Sequence, residues 1–240
     1  MKKNLWIVGG GSAIGNRLTE KLSAQYQIIS LHRRAECMTA VADEIHEAID
    51  LADPNKLLDP ITRLSQLYPP SGIIFGQRYR PLVEFADHFS LALKTEVQSS
   101  AKIVEILQQL EIEQLSSVVF LTSVNHRLIN KQLPLWYHLT KSAQVSLVKY
   151  LSVAKESQKY NVNAIELGSF LKYPLSEYSE REQHWFRTLK EHNPMNQLIN
   201  LDQLADFAAF LISDAASVIN GQIMSLDGGI SNIFQETLIG

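Results

Sequence analysis

Seven short runs of β-branched and apolar residues recur along the chain: Leu5–Val8, Gln27–Leu31, Ala48–Leu51, Gly72–Phe75, Ser117–Leu121, Val162–Leu167 and Ile223–Leu226. Between most of them lie stretches of helical length whose apolar residues return every three or four positions, as in 14–25, 85–110 and 137–159. Strands separated by helices cannot form hairpins. They pair in parallel, and a parallel sheet needs helices on both faces. The expected fold is therefore α/β, a doubly wound, Rossmann-like layer structure around a mainly parallel seven-stranded sheet.

The chain has 240 residues and no Ser/Gly-rich linker or like-charge block, so it reads as one domain over residues 1–240. Lys and Arg total 22 against 25 Asp and Glu. That balance removes the broad positive field that sequence-independent nucleic-acid binding uses. Cys37 is the single cysteine, and no Cys/His cluster has zinc-ligand spacing, so no metal is expected. No apolar run approaches a membrane span, and the run after the N-terminal Lys2-Lys3-Asn4 is too short for a signal peptide. These features read as a soluble, cytoplasmic protein without a membrane partner.

The first run ends in Val8-Gly9-Gly10-Gly11-Ser12-Ala13-Ile14-Gly15, which opens the first helical stretch. Glycines let the main chain approach a pyrophosphate, and the free N–H groups at a helix start favour its charge. Strand, glycine turn and helix together predict a dinucleotide cradle, with a plain tight turn as the alternative. The second run ends in Leu31-His32-Arg33-Arg34, with no carboxylate at its tip for a ribose 2'-hydroxyl. Two guanidiniums suit a 2'-phosphate, so Arg33 and Arg34 favour NADP(H) over NAD(H), with Glu36 nearby as the opposing feature.

The fifth run leads into Ser123, and fourteen residues later comes Tyr137-His138-Leu139-Thr140-Lys141. A Tyr and a Lys four apart share a helix face, so the ammonium favours the ionised phenol. Ser123 leaves the carboxyl end of a strand, where its hydroxyl can bond a substrate carbonyl beside that phenol. Residues 169–200 are the least regular stretch and mix Phe170, Tyr173, Tyr178, Trp185 and Phe186 with charges. They form either a substrate lid over the crevice or an ordinary surface helix. Arg78, Arg80, Arg127 and Arg187 could reach the crevice mouth and hint at an anionic substrate, although solvated loop arginines are the favoured reading. His126 and His138 flank the site as ordinary polar residues, and Asp227 reads as a turn former.

Taken in order, these motifs resemble the single-domain form of the short-chain dehydrogenase/reductase family over nearly the whole chain. Gly9 to Gly15 is similar to its glycine motif, Asp50-Leu51 to its adenine-contacting pair, Tyr137 to Lys141 to its YxxxK, and Asn220 to Gly229 to its C-terminal segment. The resemblance implies cofactor contacts at Gly9, Gly11, Ser12, Ile14, Asp50, Leu51, Phe75, Gly76, Gly168 and Phe170. It further implies that Tyr137 is the general acid and base, that Ser123 polarises the carbonyl, and that Lys141 binds the nicotinamide ribose and tunes the phenol. The chain departs from the family at four places, the first being Ala13 where many members carry glycine. Phe75-Gly76-Gln77-Arg78 replaces Asn-Asn-Ala-Gly; Glu96 stands where a helix asparagine joins the proton relay; and Leu167-Gly168-Ser169-Phe170 lacks the proline and the downstream threonine. Chemistry and resemblance together point to an NADP(H)-dependent oxidoreductase acting on a ketone or secondary alcohol. A non-catalytic NADP sensor or scaffold is the alternative, and a serine hydrolase lacks the GxSxG elbow. The resemblance implies a homodimer or homotetramer, and stretches 85–110 and 137–159 carry apolar residues on more than one face, as helices buried on both sides do.

Overall fold

The computed structural model of the chain describes residues 2–33, 44–81, 87–154 and 160–234. The main sheet comprises β1 (Lys3–Val8), β2 (Tyr26–His32), β3 (Ile45–Ala48), β4 (Pro70–Phe75), β5 (Ser117–Ser123), β6 (Asn161–Leu167) and β9 (Ile223–Leu226). Its order is β3-β2-β1-β4-β5-β6-β9, and every pairing is parallel. Alternation within each strand explains the layering. Leu5 and Ile7 point into the core under α1 (Ala13–Leu22) and α7 (Leu201–Leu211). Trp6 and Val8 point into the core under α2 (Leu58–Leu67), α4 (Ser99–Gln109) and α5 (Leu135–Val153). One residue of offset thus decides which helix layer a side chain meets. The order reverses between β1 and β4, and the crevice of such a sheet opens at that switch point.

The third strand falls earlier in the chain than its apolar run suggested. Ile45–Ala48 pairs only with β2, and its residues are half-buried or exposed, so it alternates as an edge strand does. Ile49 and Leu51 are apolar because they enter the core from the loop that follows, with Ile49 N–H donating to His32 O at 2.9 Å. The expected helix 85–110 is α3 (His88–Leu93), a π-helical turn (Lys94–Gln98) and α4; Phe85 lies outside the described residues. Residues 169–200 hold two short parallel strands, β7 (Phe170–Leu171) and β8 (Ile199–Asn200), on either side of α6 (Glu180–His192). Ser179 and Glu182 close a reciprocal capping box at the start of α6.

Candidate active site

A cleft of about 1410 Å³ runs along the carboxyl ends of the strands. The glycine turn forms one wall. Gly9 has φ +88, and a Cβ there would lie 2.6 Å from Gln77 N. A Cβ on Gly15 would lie 2.2 Å from Gly10 O, so only glycine lets the turn close on α1. Ser12 Oγ caps that helix by accepting the Gly15 N–H at 3.1 Å. Gly11, Ser12 and Ile14 line the cleft beside the helix start, where uncommitted N–H groups favour an anion.

Of the other residues expected here, Arg33, Asp50, Leu51, Gly76, Gly168 and Phe170 also line the cleft, whereas Arg34 lies outside the described residues. The expectation for Phe75 is corrected. Its ring is fully buried and stacks on Phe120 at 4.7 Å, because alternation on β4 turns it into the core beneath α4. Gly76, the next residue, takes the cleft position, its N–H donating to Val8 O at 2.8 Å. Gln77 then ties the end of β4 to the helix layer, its Nε2 donating to Ser100 Oγ at 2.6 Å.

Ser123, Tyr137 and Lys141 line the same cleft. Ser123 Oγ accepts from Asn125 Nδ2 at 3.0 Å and from Asn125 N at 3.3 Å. Both contacts use the oxygen as acceptor, which leaves the hydroxyl proton for a carbonyl oxygen. The Tyr137 ring has the Arg78 guanidinium 4.7 Å from its centroid and Lys141 Nζ at 5.6 Å. Lys141, 4% exposed, donates to Glu96 Oε2 at 2.7 Å and to Gln144 Oε1 at 2.9 Å. An ammonium has three N–H donors, so one remains for the cleft. Glu96 comes from the π-helical turn, a local widening frequent at functional sites, and is that turn's one buried residue. Its other oxygen, Oε1, accepts the Tyr79 N–H at 2.8 Å. The carboxylate therefore contacts the lysine directly.

Several neighbours have other work. Arg127 donates through Nε and Nη2 to Glu166 Oε1 at 3.0 and 2.7 Å, and His126 Nε2 lies 2.7 Å from Glu166 Oε2. His138 Nδ1 contacts Asn125 O at 2.8 Å. Arg187 donates to Gln183 Oε1 within α6. Asp227 accepts the Gly229 and Ser231 N–H groups and so holds the turn after β9. The Glu166 cluster went unread in the sequence, although a carboxylate inside the apolar run Val162–Leu167 is itself a signal that a cation lies near. Tyr79 and Lys172, both in the cleft wall, carried no comparable signal. Tyr173, Tyr178, Trp185 and Phe186 bring the segment between β7 and β8 onto the cleft.

Residues 77–231 match the family described as Enoyl-(Acyl carrier protein) reductase. The uncharacterized oxidoreductase YmfI of Bacillus subtilis is 25% identical over 95% of this chain and 99% of its own. Among solved structures, 4-hydroxyisoleucine dehydrogenase complexed with NADH superposes with a TM-score of 0.83 at 19% identity, covering 97% of this chain and 100% of the other. An ElxO variant with NADPH bound gives 0.81 at 19% identity with the same coverage.

Proposed function

The chain belongs to the short-chain dehydrogenase/reductase family, as a dehydrogenase/reductase acting on CH–OH groups, and from that premise we propose that it interconverts a ketone and a secondary alcohol with NADP(H). The observation that carries the reading is the convergence of Ser123, Tyr137 and Lys141 on one cleft with the glycine turn. The residues present fit a nicotinamide dinucleotide. Gly9 and Gly15 let the turn close against the backbone of Gln77 and Gly10, and the capped start of α1 would face the diphosphate. Asp50 and Leu51 would meet the adenine, Arg33 a 2'-phosphate, and the remaining Lys141 donor the nicotinamide ribose. Bound there, the cofactor supplies or accepts the hydride.

Proton transfer belongs to the chain. Tyr137 donates its phenolic proton to the oxygen of a ketone being reduced and takes it back from an alcohol being oxidised. Ser123 donates a hydrogen bond to that oxygen and fixes it beside the phenol. Two cations lie against the Tyr137 ring, Arg78 and Lys141, and Lys141 is also paired with Glu96. The segment 169–200 acts as a lid whose aromatic residues exclude water.

Tyr137→Phe is expected to keep NADPH affinity, read by fluorescence titration, and to lose about 100- to 10,000-fold in turnover on a carbonyl panel. Arg33→Asp should weaken NADPH binding more than NADH binding; equal losses would refute the cofactor preference. A catalytically silent NADP-binding protein is the second reading, favoured by the ion pair that consumes the lysine's charge. Tight NADPH binding without turnover on any substrate would select it. Leu139, Tyr150 and Val153 leave apolar surface exposed on α5, which supports a homodimer or homotetramer, measurable by sedimentation.

A further inference from the structure

The charges around the cleft are unevenly placed. Among the described residues its acidic lining residues are Glu20 and Asp50. Glu20 accepts from Arg17 at 2.6 Å, and Asp50 Oδ1 accepts the Ala52 N–H at 2.9 Å. The same cleft is lined by Arg78, which lies against the Tyr137 ring, and by Arg80 and Lys172. Among the described residues none of these three cations has a carboxylate within ion-pair distance, in contrast to Lys141 with its Glu96.

Lys172 is half-buried just after β7, with Nζ 5.9 Å from the centre of the Phe170 ring. Burial, and then repulsion from Arg80 and Arg78, hold its ammonium below the usual lysine range. A half-buried ammonium therefore stands among the charges of two exposed arginines, with no carboxylate among the described residues to pair with it. Guanidinium forks match the paired oxygens of a carboxylate or phosphate, and an ammonium adds a point charge. Arg78, whose guanidinium lies 4.7 Å from the Tyr137 ring centre, sets this charge beside the proposed reacting group.

We infer that the substrate is an anionic carbonyl compound or its alcohol, bearing a carboxylate or phosphate that Arg78, Arg80 and Lys172 hold beside Tyr137. The inference rests on the reading of Tyr137 as the proton-transfer residue. The rival use of the cations is to hold the cofactor's own diphosphate. The glycine turn and the start of α1 already offer that group a site.

Calorimetric titration of the NADP-loaded enzyme separates these uses. The probes are benzoylformate against its methyl ester, and dihydroxyacetone phosphate against dihydroxyacetone. In at least one pair the anion should bind about tenfold or more tightly than its neutral partner, and the better pair identifies carboxylate or phosphate. Lys172→Met and Arg80→Gln, made separately, should each reduce that preference about threefold or more and leave NADPH affinity within about twofold. Equal binding within both pairs, or no binding of either anion, overturns the inference. So does a preference that survives both substitutions while NADPH binding weakens, which assigns the cations to the cofactor. Turnover is scored apart from binding: if Tyr137→Phe remains active, the catalytic reading fails even where the anion preference stands.

Discussion

Glu96 and Glu166 are both carboxylates buried at the carboxyl end of the sheet, 0% and 2% exposed, and both face a cation at 2.7 Å. Their surroundings differ. Glu96 sits in the π-helical turn and grips Lys141, which is itself 4% exposed and lines the cleft. Glu166 lies on β6 and grips Arg127, whose side chain is 37% exposed, together with His126. Ser225 Oγ donates to the same carboxylate at 3.1 Å, and Arg127 also reaches Ser231, so this cluster fastens β6 to β9 and to the turn beyond. Burial works against the Glu166 charge, but hydrogen bonds from Arg127 and His126 overcome it and leave the group below the usual carboxylate range. A buried ion pair is therefore not in itself a mark of catalysis. What separates the two is whether the cation also faces the cleft.

Alanine at each carboxylate tests that separation most severely. Glu96→Ala leaves the Lys141 charge unpaired in the interior and should cost about 3–5 kcal/mol in denaturant unfolding. Turnover per folded molecule should also fall, by about 100-fold or more, as Lys141 is released from its position. Glu166→Ala should cost less, about 2–3 kcal/mol, because Arg127 can turn to water, and turnover per folded molecule should stay within about twofold. Comparable loss of turnover in both variants would erase the distinction. Glu96→Gln is gentler, since an amide oxygen can still accept from Tyr79 N. It is expected to cost about 1–3 kcal/mol and to lower turnover about tenfold, measured at saturating NADPH.

Acid tests the Glu166 side of the contrast. Its folded-state affinity for a proton is lowered, so the stability it contributes is complete above its ordinary pKa of 4.5 and is lost as pH falls through the lower folded value. Wild type should therefore lose stability more steeply than Glu166→Gln on acidification below that point, by about 1 kcal/mol, read by thermal melts across pH. Parallel curves would remove Glu166 as the source. The smallest effect is expected at Arg127→Gln, about 1 kcal/mol in stability with unchanged turnover, because the side chain is partly in water.

The sequence was most readable where chemistry is local. Six of its seven apolar runs mark strands of the sheet at nearly their observed positions, and the glycine turn follows from the positive φ at Gly9 and the missing Cβ at Gly15. The third strand was misplaced because an edge strand has one neighbour and little apolar signature, whereas the loop after it is apolar for reasons of packing. Phe75 was assigned to the cofactor by its motif position, but the pleat faces it into the core.

By itself the chain determined the layer architecture, the glycine cradle and the Tyr137–Lys141 spacing, because strand alternation, helical period and glycine's missing Cβ act between residues close in sequence. Tertiary structure decided the partners: Glu96 with Lys141 across 45 positions, Arg127 with Glu166 across 39, and Arg78 against Tyr137. Such pairings depend on where separate strands end and how helices lie over them. A charge's role depends on what it faces after folding, and that is a property of distance in space.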